Sequence, residues 1–198
     1  MTRLYIIRHG NTFEAGEAPR RVGRRTDLPL TAAGLTQAVA LGRGFAADGL
    51  VFGICQAGKL QRTRVTAETI LATMGLRLAV EPSELLTEID HGPDEDQTEG
   101  RVEARIGKEA LEAWDRQAIA PPDWTVDAEA RIAGWREFAA QPLPQDVLLV
   151  TSNGAARFAL LAFGFDIASL KLRTGAYGII EAGSEGQFRL VEWDKRPN

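Results

Sequence analysis

Arg3-Leu4-Tyr5-Ile6-Ile7-Arg8-His9-Gly10-Asn11-Thr12 decides how the rest of the chain is read. Residues 3–8 are short, apolar and β-branched, and Gly10 ends the run. That is the pattern of a buried strand. Its last residues, Arg8 and His9, therefore stand where a strand gives way to a loop. In open α/β sheets, ligands bind beyond the carboxyl ends of the strands.

Outward from this stretch, strands alternate with helices. Thr31 is a good N-cap for a helix running to about residue 47, before Asp48-Gly49. Residues 50–55 read as a strand, residues 60–74 as a helix capped by Gly75, and residues 78–81 as a short strand. Residues 85–90 lead into a loop with Gly92-Pro93. Residues 102–118 carry one apolar face, with Val102, Ile106, Ala110, Leu111 and Trp114, and read as a single helix broken by Pro121-Pro122. Residues 126–140 form the next helix, and 147–151 give the strongest strand signal. Residues 155–163 are helical. Strands at 177–181 and 188–193 close the chain, joined by the turn Gly183-Ser184-Glu185-Gly186. Alternation of this kind predicts an α/β sheet covered on both faces. The expected organisation is one domain over residues 1–198, with residues 93–146 as a helical insertion over the site.

Composition narrows the function classes. The chain has 198 residues, 44% hydrophobic and 25% charged, with net charge −4. This is ordinary globular composition and argues against a general affinity for nucleic acid. No apolar run approaches the ~20 residues that span a bilayer. The N-terminal run ends at Arg8 and is too short for a signal-peptide core. One cysteine, Cys55, excludes an internal disulfide and CxxC metal sites. A cytoplasmic protein with no membrane partner is expected. Two histidines, His9 and His91, make a metal centre improbable, and no cofactor is expected. Neither a GxGxxG nor a GxxxxGK[ST] run occurs.

Four segments sit at strand-to-loop or loop-to-helix junctions: Arg8-His9-Gly10-Asn11, Arg62 in Leu60-Gln61-Arg62-Thr63, Glu88 in Thr87-Glu88-Ile89-Asp90-His91, and Thr151-Ser152-Asn153-Gly154. Singly, each has a bland reading: a structural histidine, a solvated helix arginine, a loop carboxylate, a helix cap. Gathered at one sheet edge, they suit phosphoryl transfer. Arginines hold phosphoryl oxygens through planar, charge-assisted hydrogen bonds. A neutral imidazole attacks in line, and a carboxyl group passes the proton. The expected ligand is phosphate or a small phosphorylated molecule.

On these residues the chain resembles the histidine phosphatase, or phosphoglycerate-mutase-like, superfamily over almost its whole length. Arg8-His9-Gly10-Asn11-Thr12 matches the family signature, and Asp27-Leu28-Pro29-Leu30-Thr31-Ala32-Ala33-Gly34 resembles the segment after it. Leu60, Arg62, Thr66 and Ala67 match its second arginine helix, and Glu88 and Gly92 its catalytic-glutamate loop. The resemblance implies a three-layer α/β/α fold with a mostly parallel sheet. It implies His9 as nucleophile, Arg8 and Arg62 as phosphate ligands, Glu88 as general acid/base, and hydrolysis of phosphomonoesters without a metal.

Two departures bear on that reading. Counting back from Arg157, Ser152 stands where the family has a second histidine. Loss of one such donor is worth about 10²–10³ in rate. Three readings follow. Ser152, Asn153 and the N–H groups of the helix they open make a substitute phosphate cradle; or His91, three residues after Glu88, supplies the imidazole; or the site binds a phosphorylated ligand without fast turnover. The second departure is Phe13-Glu14-Ala15-Gly16, where mutases carry an asparagine and aromatic residues; hydrolysis is therefore preferred to mutase activity. Asn11 is placed among the substrate contacts. Arg24, within the basic cluster Arg20–Arg25, is expected on an electropositive rim.

Overall fold

Each central strand sends alternate side chains to opposite faces, and this places the two layers of helices. The computed structural model describes residues 1–143, 145–183 and 186–197. In β1 (Thr2–Arg8), Leu4 and Ile6 enter one core while Tyr5 and Ile7 enter the other. In β4 (Asp146–Thr151), Val147 and Leu149 take the first side, Leu148 and Val150 the second. Both strands are central and buried on both faces, which is why they read as unbroken apolar runs. Each fully buried side chain of this kind contributes about 1.5–3 kcal/mol.

The sheet has six strands in the order β3-β2-β4-β1-β5-β6. β2 (Phe52–Ala57), β3 (Val80–Pro82), β4 and β1 pair in parallel. The last two strands, β5 (Tyr177–Ala182) and β6 (Phe188–Lys195), are antiparallel. The fold is thus α/β with a mostly parallel sheet. Of the turn expected at Gly183–Gly186, Ser184 and Glu185 lie outside the described residues.

Helices α1 (Ala32–Ala47) and α2 (Gln61–Met74) cover one face. The other is covered by α3 (Glu99–Ile106), α4 (Lys108–Gln117), α5 (Ala128–Ala140) and α6 (Asn153–Ala162), through Val102, Trp114, Trp135, Phe138 and Phe158. The single helix expected at 102–118 is two helices, because the backbone at Gly107 turns to φ 83°, ψ 157°. The apolar period runs through this break undisturbed, so it did not mark it.

The start of α1 shows how the sheet edge is assembled. Thr31 caps the helix by accepting from the Gly34 N–H at 3.1 Å, and its own N–H donates to the Asn11 carbonyl at 3.0 Å. A Cβ at Gly34 would lie 2.3 Å from that carbonyl, and one at Gly10 would lie 2.3 Å from the Gly34 carbonyl. Alanine is favoured over glycine inside a helix by about 1 kcal/mol, but overpacking against backbone costs about 1–3 kcal/mol, and here neither backbone segment has room to yield. Gly34→Ala is therefore expected to lower the urea midpoint; an unchanged or raised midpoint would show that the contact is slack.

Candidate active site

The register of β1 against β4 brings the distant motifs together. Arg8 pairs with Thr151, and the His9 N–H donates to the Thr151 carbonyl at 3.0 Å. His9 and Ser152 thus leave the sheet side by side. β2 delivers α2, whose first turn carries Arg62; the Gly10 N–H reaches Thr66 Oγ1 at 3.3 Å. Thr151 Oγ1 donates to the Leu86 carbonyl at 2.7 Å and holds the Glu88 segment to the end of β4.

A cleft of two adjoining lobes opens at this edge. One, about 490 Å³, is lined by His9, Asn11, Phe13 and Arg196 among others. The other, about 390 Å³, is lined by His91, Trp114, Asn153 and Gly154. Arg8, Arg20, Glu88 and Arg173 line both.

His9 is buried, with Nδ1 2.7 Å from the Gly10 carbonyl. A carbonyl only accepts, so the hydrogen bond assigns the proton to Nδ1 and leaves the lone pair on Nε2. Burial, followed by the charges of Arg62 and Arg8, holds this imidazole well below the usual histidine range. It is a neutral base beside two guanidinium groups.

Those two groups are themselves fixed from behind. Arg8 Nη1 donates to the Leu172 carbonyl at 2.9 Å, and burial lowers its pKa to about 10, so it stays charged at neutral pH. Arg62 is fully buried, with Nη1 donating to the Thr26 carbonyl at 2.7 Å and Nη2 to the Gly23 carbonyl at 3.0 Å. Burial lowers its pKa also, opposed by the nearby carboxyl groups of Glu88, Asp27 and Glu95. Among the described residues the Nε–H groups of Arg8 and Arg62 have no protein acceptor. Unmatched buried donors of this kind cost about 1–3 kcal/mol each. Arg8 lines the cleft, where an oxyanion would satisfy its donor, whereas Arg62 is fully buried behind the residues that line it.

Glu88 is buried. Its Oε1 accepts from the Ile89 N–H at 2.9 Å and its Oε2 from the Gly154 N–H at 3.0 Å. A Cβ at Gly154 would lie 2.3 Å from Oε1, so only glycine admits the carboxyl group to the start of α6. This corrects the cradle reading of the Ser152 segment. The Gly154 N–H is occupied by Glu88, and Ser152 Oγ is buried, has no hydrogen-bond partner among the described residues and does not line the cleft. Asn153 does line it, while its Oδ1 accepts from the Leu172 N–H at 2.9 Å. Asn11 lines the His9 lobe and is tied to Thr174 and Gln37.

His91 faces inward. It is buried in the second lobe, edge-on to Trp124 at 4.5 Å between ring centroids, with Nδ1 3.6 Å from Glu95 Oε2. Arg24 does not reach the cleft. It is exposed, pairs with Glu84 at 2.6 Å, and faces a separate depression with Leu85, Asp127 and Arg131. The expected electropositive rim is largely neutralised: Arg20 pairs with Asp96, Arg21 with Glu99 and Arg25 with Asp90. Lys171 and Arg173, which line the cleft, come from a loop whose sequence carried no periodic signal. Among the described residues no three His, Cys, Asp or Glu gather as a metal-binding group, and no helix is long and apolar enough to cross a membrane.

Comparison with known proteins gives the family and the fold. The family model described as Histidine phosphatase superfamily (branch 1) matches residues 4–195. The 2,3-bisphosphoglycerate-dependent phosphoglycerate mutase of Methylobacterium sp. is 32% identical over 168 residues, covering 81% of this chain and 80% of its own. That of Bartonella quintana is 29% identical over 190 residues, covering 87% and 88%. Among solved structures, a mycobacterial glucosyl-3-phosphoglycerate phosphatase superposes with TM-score 0.80 at 21% identity, covering 99% of this chain and 100% of that one. The alpha-ribazole phosphatase of Shigella flexneri superposes with TM-score 0.73 at 24% identity, covering 98% and 97%. At such identities the two structures speak to the fold alone.

Proposed function

The chain belongs to the Histidine phosphatase superfamily (branch 1), and from that footing we propose that it hydrolyses small phosphomonoesters through a phosphohistidine at His9. The observation that carries the reading is a neutral His9, its lone pair on Nε2, beside two guanidinium groups whose Nε–H donors have no protein partner.

In this reading the phosphoryl oxygens take the free donors of Arg8 and Arg62. Nε2 of His9 attacks phosphorus; the N–P bond forms as the bond to the alcohol oxygen breaks. Glu88 gives its proton to that oxygen, and the alcohol leaves. Water then attacks the phosphohistidine and Glu88 takes its proton. The N–P bond breaks, phosphate departs, and His9 is again neutral with Glu88 protonated. The arginines carry the charge of the transferring group, so no metal step is needed.

p-Nitrophenyl phosphate is the simplest test, assayed at pH 5–8 with EDTA. Release above a His9→Ala control, unchanged by the chelator, is expected. Loss on chelation, or no release above the control, would sink the reading. The buried, unpartnered Ser152 favours a second reading, a phosphate-ligand-binding protein on the same fold. Under it, calorimetry shows phosphate binding without turnover, and Ser152→His does not raise the rate. The identity to mutases supports a third; conversion of 3-phosphoglycerate to 2-phosphoglycerate faster than phosphate release would establish it.

A further inference from the structure

Glu95 stands in none of the roles above, yet it is the most heavily bonded carboxylate near the cleft. Its side chain is 7% exposed. Oε1 accepts from the Gly23 N–H at 2.9 Å, the Arg25 N–H at 3.1 Å and Thr26 Oγ1 at 2.9 Å. Oε2 accepts from the His91 N–H at 3.3 Å and lies 3.6 Å from the His91 ring Nδ1. Burial would raise its pKa, but the hydrogen bonds from His91 and Thr26 outweigh this and hold it at about 2. It is a carboxylate throughout the working pH range.

The loop gripped by Oε1 is the same loop that grips Arg62. Gly23 and Thr26 donate to Glu95 from one side, and their carbonyls accept from Arg62 on the other, at 3.0 and 2.7 Å. Residues 23–26 belong to no helix or strand, so no backbone ladder holds them in place. The other ties of the segment run from the Arg24 N–H to the Ile89 carbonyl, from the Arg24 side chain to Glu84, and from the Arg25 side chain to Asp90 and the Gly92 carbonyl; none touches Gly23 or Thr26. A guanidinium is aimed only as well as its acceptors are held.

We infer that Glu95 is a positioning residue: its two oxygens hold the 23–26 loop that aims Arg62, and the His91 wall of the cleft, in one fixed relation. The inference rests on the proposed function for the importance of Arg62 to phosphate, and on the hydrogen bonds alone for its geometry. Glutamine cannot replace Glu95 here. Its amide offers one oxygen, so its NH₂ meets either the N–H groups of the loop or that of His91, and one side of the clamp opens. Aspartate keeps the charge but, one methylene shorter, reaches one side.

Two measurements test this on the full-length protein. Proton–nitrogen spectra of the arginine guanidinium groups are recorded first, with Arg62 assigned by its loss in Arg62→Lys. Held by backbone carbonyls, its Nη–H groups are expected to exchange slowly in the wild type. They are expected to broaden or vanish in Glu95→Gln, or in Glu95→Asp if the amide variant does not fold. They are expected to persist in a Val102→Ala core variant matched in melting temperature. Persistence in both Glu95 variants, or equal loss in Val102→Ala, would overturn the inference. Vanadate inhibition is the second: a weakening of roughly tenfold, up to about 10²-fold, is expected in Glu95→Gln with Val102→Ala unmoved, and an unchanged inhibition constant would overturn it. Failure of the wild type to bind vanadate would instead count against the proposed function, leaving the spectra to decide the role of Glu95.

Discussion

Replacing His9 with alanine is expected to remove at least about 10⁴ of kcat/KM on any phosphomonoester the protein accepts, with no covalent phosphoenzyme left to trap. The size of the effect follows from what the residue is asked to do. It forms and breaks the bond to phosphorus, and the neighbouring side chains offer no replacement: Arg8 and Arg62 carry no lone pair, and Ser152 is buried away from the cleft. Stability should change little in the same variant, since the ring makes one hydrogen bond and sits beside two positive charges. The pH profile of the wild type carries the same signature. Because His9 is held well below the ordinary histidine pKa of about 6.5, it remains an unprotonated nucleophile as the pH falls through that value. An acid limb with a midpoint near 6.5 assigned to His9 would contradict its burial between the arginines. The linkage runs the same way: the unfolded chain takes up the His9 proton first, so this group costs stability as the pH falls below about 6.5.

The second large effect is at Glu88, and it is expected to depend on the substrate. Alkyl phosphates leave as strongly basic alkoxides and need a proton; Glu88→Gln should cost them about 10²–10⁴ in kcat. p-Nitrophenolate needs none, so phosphorylation of His9 by p-nitrophenyl phosphate should be slowed far less. The later attack of water still needs a base, so a burst of p-nitrophenol followed by a slow steady state is expected. The substituted amide would keep one of the two backbone hydrogen bonds that hold Glu88, from Ile89 and Gly154. A rate loss equal for both substrates, without a burst, would therefore argue for displaced geometry and against proton transfer.

Much of this was legible in the sequence, for a physical reason. β1 and β4 are buried on both faces, so their apolar runs stood out, and the residues that follow them inherit the position of the sheet edge. Arg8, His9 and Asn153 were found this way, Glu88 by its place in the order of motifs, and the structure brings all four to one cleft. Arg62 read by itself as a solvated helix arginine; only the order of motifs singled it out, and it is fully buried. The misreadings, and the omission of Glu95, share a cause. Arg24 and Arg21 are neighbours in one loop without periodicity, and sequence carries no sign of which guanidinium turns to the cleft and which to Glu84. Asp94-Glu95-Asp96 has the composition of a solvated turn, yet Glu95 is bonded on both sides. Ser152 looked like a helix cap with a free hydroxyl, but the Gly154 N–H was already taken by a carboxylate 66 residues away in sequence.

The direct test of the central claim is to trap the intermediate. Rapid mixing with p-nitrophenyl phosphate, quenching in base, and mass spectrometry of the peptides should show one phosphoryl group on the His9 peptide, stable to base and lost in acid. Glu88→Gln should accumulate more of it than the wild type. A wild-type protein that releases phosphate while no quenched sample, including Glu88→Gln, carries phosphate on His9 would contradict the account.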